Sequence, residues 1–328
     1  MRSWRLARVW AKAVLAALAA AATGCARTPE IYVVAVPVVD LRAQPGSLAT
    51  SVVHDPLQET QLLYGERVQI IRRGEGWVYV QALEQPEYTH AATWQGYPGW
   101  LLRDTLHPVT HLPKPNAVIV SKWATVWKMS DGREPWFALP LGTRVSIQRD
   151  DGQLWAIQLV SGATGWVARG ELERFDALER LDESSRRRRI ILAAQELLQD
   201  PYFWGGRSPH TDHIPIPVTG VDCSGLVNLA YRAAGLEIPR DAHEQYLRAE
   251  PIEQLEPADL IFLSAADHPE QIVHVMLYAG DGWVIEGPGT GSFVRRISIA
   301  DRLGRSMDQV HSGQTIEQQT IVFGTYFP

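Results

Sequence analysis

From residue 31 to residue 112 the apolar positions come in short runs, many alternating with polar ones, bounded by Gly, Pro and polar residues. That is the period of strands, not of helices. Ile31-Tyr32-Val33-Val34-Ala35-Val36 is dominated by β-branched residues and predicts a strand. Val68-Gln69-Ile70-Ile71 and Trp77-Val78-Tyr79-Val80 flank Gly74-Glu75-Gly76, which predicts a hairpin. Tyr97-Pro98-Gly99-Trp100-Leu101 follows a long polar loop, and Pro108, Pro113 and Pro115 mark a boundary. The theme then recurs over 116–172. Thr143 to Ile147, the turn Asp150-Asp151-Gly152 and Leu154 to Leu159 predict a second hairpin, and Gly165-Trp166-Val167 echoes Gly99-Trp100-Leu101.

The recurring order is hydrophobic strand, Gly turn, Trp-bearing strand, Gly-Trp. It resembles tandem bacterial SH3-like barrels, with 30–112 and 113–172 as the two units. One irregular β domain is the alternative. Beyond them the period changes. Ile190, Ile191, Ala194, Leu197 and Leu198 share a face at helical spacing, which predicts a helix over 176–199 ended by Pro201. Arg186 to Arg189 lie at the start of that stripe, where a solvated or barrel-facing helix surface is expected. Leu226 to Ala234 reads as a short amphipathic helix closed by Gly235. Ala258 to Leu263, Ile272 to Ala279 and Trp283 to Glu286 read as strands, so the last third, 173–328, is expected to be an α+β domain.

A chain of 328 residues has room for two or three domains. Its net charge of −6 argues against nucleic acid as a partner, since phosphate backbones are held by clustered Lys and Arg. The first 24 residues read as a targeting segment: Arg2, Arg5, Arg8 and Lys12, then the short apolar run Ala13 to Ala22. Ala22-Thr23-Gly24-Cys25 resembles a bacterial lipoprotein signal in which Cys25 becomes the lipidated first residue. Such signals usually carry Leu where Ala22 stands. A plain signal peptide or an uncleaved anchor is the alternative. Ala26 after Cys25 would suit an outer-membrane lipoprotein of the cell envelope, facing the periplasm, in a two-membrane bacterium.

The cysteine count then matters. The chain has two, and if Cys25 carries lipid, Cys223 is a leftover thiol in an exported protein. Gly220-Val221-Asp222-Cys223-Ser224-Gly225 precedes an apolar helical pattern, so Cys223 falls in the first turn of a helix. There the unpaired N–H groups and the helix dipole favour a thiolate, the reactive form of Cys. His274, embedded in an apolar strand, is the candidate base, the bland alternative being a satisfied core histidine. Glu286 is the candidate third group that orients it. A two-residue loop at Gly280-Asp281-Gly282 would put Glu286 on the opposite face from His274. A three-residue loop pairs it with Met276, on the His274 face. The three-residue loop is expected, with a solvent-facing Glu as the alternative.

Pro201-Tyr202-Phe203-Trp204-Gly205-Gly206, Asp222-Cys223-Ser224-Gly225-Leu226, Pro239-Arg240-Asp241 and the His274 strand resemble, in this order, the NlpC-type cell-wall cysteine peptidases. The resemblance covers about residues 176–328 and implies a papain-like domain with Cys223 and His274 catalytic. The family's third polar residue, commonly His, falls on Glu286. Glu59 to Gly65 and Gly96 to Trp100 resemble the first SH3-like domain of the γ-D-glutamyl-L-diamino-acid endopeptidases. That likeness implies that Glu59, Tyr97 and Asp241 bind the free amino group of an N-terminal L-Ala, and that Asp222 and Ser224 contact substrate. Ala242 stands where those enzymes often have Ser. The expected activity is hydrolysis of the bond between D-γ-glutamate and a diamino acid in peptidoglycan peptides or muropeptides, without metal or cofactor. The alternatives are a hydrolase of intact cross-linked wall and a catalytically dead wall-binding lipoprotein.

Overall fold

The computed structural model describes residues 30–51, 54–109, 113–213 and 217–327. Cys25 and the expected targeting segment lie outside them. No helix among the described residues is long and apolar enough to cross a membrane.

Seven strands form the first sheet: β1 (Glu30–Val34), β2 (Val38–Arg42), β3 (Gln58–Leu63), β4 (Arg67–Arg73), β5 (Trp77–Glu87), β6 (Gln95–Leu102) and β7 (Leu106–Pro108). Their order is β3-β2-β6-β5-β4-β1-β7. The second sheet has β8 (Ala117–Ile119), β9 (Trp123–Trp127), β10 (Pro135–Pro140), β11 (Arg144–Asp151), β12 (Leu154–Gln158), β13 (Thr164–Ala168) and β14 (Leu172–Arg174). Its order, β10-β9-β13-β12-β11-β8-β14, repeats the first strand for strand. The repeated Gly-Trp motif has a steric cause. A Cβ on Gly99 of β6 would sit 2.6 Å from Leu41 of β2, and a Cβ on Gly165 of β13 would sit 2.6 Å from Val126 of β9. In both sheets the glycine lets a core side chain of the crossing strand reach the backbone.

The remainder holds α1 (Phe175–Glu179), α2 (Glu183–Gln195), the strand pair β15 (Arg207–Ser208) and β16 (Gly220–Val221), α3 (Cys223–Ala233) and α4 (Ala242–Arg248). Then come β17 (Glu250–Pro251), β18 (Leu260–Ser264), β19 (Ile272–Gly280), β20 (Trp283–Glu286), β21 (Arg295–Ser298), α5 (Ile299–Leu303), β22 (Thr315–Ile316) and β23 (Gln319–Thr325). The sheet runs β17-β23-β18-β19-β20-β21, with β22 on β23. Strand alternation divides its side chains between two cores. Phe262, Val275, Leu277 and Ile285 pack with Ile190 of α2 and Leu226 and Ala230 of α3. Ile261, Met276, Val284 and Phe323 pack with Ile299 and Leu303 of α5.

One helix expectation is corrected and one is qualified. The single helix over 176–199 is two helices, because Asp182 caps α2 by accepting from Ser185 N at 2.7 Å. Its helical spacing ends at Gln195, ahead of Pro201, and Gln199 takes a left-handed φ of 68°. Helix α3 is amphipathic as expected, with Ser224, Asn228 and Arg232 on one face, but that face is buried too, against Arg240, Arg207 and the Gly142 carbonyl. It is enclosed because the β-sheets close over it. Arg232, its last basic residue, reaches Glu84 of the first sheet (2.7 Å) and the Gly142 carbonyl of the second (2.8 Å). Fully buried Arg207 bonds Glu66 at 2.9 Å, which ties the first sheet to β15. Of the arginine run, Arg187 is buried against Asp259 (2.7 Å) and Arg189 pairs with Glu173 of β14 (2.6 Å).

Candidate active site

Asp222 accepts from Gly225 N at 2.7 Å and so caps α3, which makes Cys223 the first residue of the helix. Only 7 % of Cys223 is exposed. The same carboxylate accepts from Gly205 N (2.9 Å) and from both terminal nitrogens of Arg240 (3.1 and 2.8 Å). Ser224 Oγ lies 3.3 Å from Asp222 and accepts from Arg240 at 2.9 Å. Asp222 and Ser224 are therefore bound up in a buried lattice under the helix start. Gly225 belongs to it too, since a Cβ there would lie 2.2 Å from the Gly206 carbonyl oxygen, a backbone atom. Gly225→Ala is expected to destabilise the fold by about 2–4 kcal/mol, by forcing backbone apart in a close-packed site. Thermal unfolding checks it, and a melting temperature equal to wild type would contradict it.

His274 on β19 and Glu286 on β20 meet with Nε2 2.9 Å from a carboxylate oxygen. The loop between them differs from the expected one. Asp281 and Gly282 form a two-residue loop, both at positive φ (51° and 73°), closed by the pair Gly280–Trp283. A bulge between Tyr278 and Gly280 then shifts the register by one, and Leu277 pairs with Ile285. Loop and bulge together do what a three-residue loop would have done, and Glu286 comes to the His274 face.

Burial works against a charged His274. Hydrogen bonding to the Cys223 sulfur and to Glu286, with the charges of both, outweighs it and raises the imidazole to about 9. At neutral pH His274 is then an imidazolium beside the Cys223 sulfur. Nε2 is engaged by Glu286, which leaves Nδ1 for the sulfur. Glu286 is fully buried, yet His274, Arg302 and Arg295 overcome that burial and hold it down at about 2.

A second cluster lies at the seam with the first sheet. The Tyr97 hydroxyl is 2.9 Å from Asp241 and 3.4 Å from Glu59. Burial and these two carboxylates keep the phenol protonated well above its usual range, so it donates. Burial, helped by Glu244 and Asp222, pushes Asp241 up to about 7 against the pull of Arg240 and Tyr97. Arg240 links this cluster to the start of α3, since it also lies 3.5 Å from Asp241 and bonds Thr60 of β3 at 2.7 Å. Glu59, Tyr97 and Asp241 thus gather two carboxylates and a phenol at one place, one lattice away from Cys223.

Several residues here carried no legible signal in the sequence. His90, in the loop between β5 and β6, lies 3.0 Å from Glu87 and 3.7 Å from Glu59. Its bond to Glu59 outweighs burial and, with Glu87, raises it to about 9. The loop is tied to α4 by Glu244, which accepts from Tyr88 N and Thr89 N at 3.3 and 3.0 Å. Tyr202 stood inside an aromatic Gly-Gly motif. Burial, and then the charges of nearby Asp222 and Cys223, push its hydroxyl up. Arg295 and Arg302 lie 9 and 16 residues past Glu286, with no local pattern to mark them.

Residues 199–317 match the model of the NlpC/P60 family. The C-terminal part of this chain is an NlpC/P60 domain. A crystal structure of an NlpC/P60 family protein from Bacillus cereus superposes with a TM-score of 0.70 at 21 % identity, covering 91 % of this chain and all of that one. The papain-like α+β architecture is therefore shared, together with the general arrangement of the β-sheets before it. A γ-D-glutamyl-L-lysine dipeptidyl-peptidase of Bacillus subtilis is 28 % identical over 76 % of this chain and 78 % of its own length. Murein DD-endopeptidase MepH of Escherichia coli is 39 % identical, over 34 % of this chain and 40 % of its own.

Proposed function

We propose that this protein is a cysteine endopeptidase that cuts the bond between D-γ-glutamate and a diamino acid in peptidoglycan peptides bearing a free N-terminal L-Ala. The carrying observation is the meeting of Tyr97, Glu59 and Asp241 within hydrogen-bonding range, bridged by Arg240 to the start of α3. Two carboxylates, with the lone pairs of the Tyr97 hydroxyl, can accept from an ammonium. An acylated nitrogen carries no charge and one N–H at most, and would leave the two carboxylates without a cation. The likeness to the dipeptidyl-peptidase supports this reading, because at 76 % of this chain it extends well beyond residues 199–317 of the NlpC/P60 match. The MepH match favours a cross-linked wall substrate as the second reading, but covers about a third of the chain. The two sheets of identical order are read as tandem SH3-like modules, the first walling the substrate's amino end. Export through lipidated Cys25 is read from sequence alone, and its test is loss of palmitate labelling in Cys25→Ala.

In the proposed reaction the Cys223 sulfur attacks the γ-carbonyl carbon, and the carbonyl π electrons move to oxygen. Backbone N–H groups at the start of α3 face that oxyanion. The imidazolium of His274 gives its proton to the leaving nitrogen as the C–N bond breaks, leaving a thioester. Water then attacks the thioester, His274 takes its proton, and the C–S bond breaks to release the dipeptide and the thiolate. Comparing cleavage of L-Ala-γ-D-Glu-diamino acid with its N-acetyl form tests the reading. Equal rates on both would sink the amine requirement.

A pH dependence follows from Asp241. Its raised pKa, about 7, means that the carboxylate is largely protonated below pH 6 and becomes the second anion of the site above 7. KM for the free-amine peptide is expected to fall several-fold from about pH 5.5 to about pH 7.5, before the substrate ammonium itself titrates near 8. KM for the N-acetyl peptide should stay level across that range. A KM for the free amine that is flat or rises would contradict the role given to Asp241.

A further inference from the structure

Glu286 stands at the position where the resembled peptidases commonly have His. A carboxylate there makes two physical difficulties. Fully buried, it tends to take up a proton and lose its use as an acceptor. If it stays charged with only His274 as partner, it raises the proton affinity of the imidazole and makes the imidazolium a weaker acid toward a leaving amine.

Two arginines answer both. Glu286 is 0 % exposed and accepts five contacts on its two oxygens. One oxygen takes Arg295 Nε (3.1 Å), Arg295 Nη2 (2.7 Å) and Arg302 Nε (3.1 Å). The other takes His274 Nε2 (2.9 Å) and Arg302 Nε (3.0 Å). Arg295 stands directly opposite Glu286 in the β20–β21 register, and Arg302 comes from the last turn of α5. The charged and titratable groups around Glu286 are thus His274 from β19, Arg295 from β21 and Arg302 from α5. Beyond His274 lie Cys223, Asp222 and Tyr202, with Arg240 bound to Asp222.

We infer that Arg302, with Arg295, is a positioning residue that fits this site to a carboxylate third member: the two guanidiniums fix the Glu286 rotamer and draw off its charge, so that His274 is oriented without being locked as an imidazolium. This rests on Cys223 and His274 as the reacting pair but not on the peptide that they cut. The arginines touch neither sulfur nor substrate and act through Glu286.

The sign of their effect is fixed. Removing a cation beside Glu286 leaves more negative charge facing His274, so the imidazolium keeps its proton to higher pH. Glu286 itself, less supported, takes up its proton at higher pH, and the thiolate is also less favoured. Both inflections of the ion pair's pH profile therefore move upward.

The test is the rate of Cys223 alkylation by iodoacetamide against pH, followed at that residue by peptide mass spectrometry on the full chain. No peptidase substrate is needed, so the outcome does not depend on the proposed cleavage. In Arg302→Met both inflections are expected to rise by about one pH unit, as for loss of one charge at short range in a partly screened site. Arg302→Lys, which restores the charge without the planar fork, should recover most of the shift. On the free-amine tripeptide, Arg302→Met should lower kcat by about tenfold with KM within about twofold of wild type, the signature of a group absent from substrate binding. Should Arg302→Met not fold, Arg295→Met carries the same test, because that side chain is 43 % exposed and tolerant of change. Inflections that stay at wild-type positions, or move down, in a variant that melts like wild type would overturn the inference. Alkylation profiles that shift as expected in a protein with no activity on the tripeptide would leave the inference standing and defeat the proposed substrate.

Discussion

Cys223→Ala is expected to lose at least about 10⁴-fold in kcat on the free-amine tripeptide, because without the sulfur no thioester forms and water must attack the amide directly. Its binding of the same peptide should remain within a few-fold, since the sulfur is apart from the Glu59–Tyr97–Asp241 cluster that is read as the affinity site. The variant should also fold. Cys223 makes one face of a helix start held by Asp222, Gly205 and Arg240, and none of those bonds uses the thiol. Single-turnover kinetics with calorimetric binding checks this. A variant retaining a tenth of wild-type activity would remove Cys223 from the chemistry.

The second large effect is on selectivity. Wild type is expected to prefer the free-amine tripeptide over its N-acetyl form by on the order of a hundredfold or more in kcat/KM, the scale for leaving buried polar groups unpaired. Glu59→Gln with Asp241→Asn should collapse that ratio to within about tenfold by weakening the free-amine substrate. Activity on the acetylated peptide should stay near its low wild-type level, because the amides no longer demand an ammonium. Tyr97→Phe should act in the same direction with a smaller effect, since it removes one acceptor and leaves both charges. Retention of the full ratio in the double variant would mean that the cluster is a structural lattice between the first sheet and α4. Arg240, which bonds Asp222, Thr60 and Ser224 and approaches Asp241, makes that a serious alternative.

Much of this was readable in the chain, for identifiable reasons. The duplicated β-architecture announced itself through Gly99 and Gly165, because each sheet needs a strand with no Cβ where a partner's core residue crosses. The place of Cys223 was legible because helix starts have local chemistry: Asp222 as cap and the turn residues before it. The His274–Glu286 pair was legible only in outcome. Strand parity required an odd residue somewhere in the hairpin, and the sequence pattern put it in the loop. The chain put it in a bulge beside Ala279, as the left-handed pair Asp281-Gly282 closes a tight two-residue turn. What could not be read were contacts between distant segments. Helix α3 looks amphipathic when its own residues alone are considered, and becomes buried all round because Glu84 and the Gly142 carbonyl, from two other sheets, meet Arg232. His90 enters the Glu59–Tyr97–Asp241 cluster only because its loop is pinned to α4 by Glu244. The arginines that neutralise Glu286 are visible only once β21 and α5 are folded against it.

The most direct measurement is mass spectrometry of the products formed from defined muropeptides with free and blocked L-Ala amines. Release of the dipeptide L-Ala-γ-D-Glu from the free-amine substrates, with the blocked ones left whole, is the expected result. Cleavage at any other bond, or equal release of fragments from blocked peptides and cross-linked wall, would contradict the function assigned to this site.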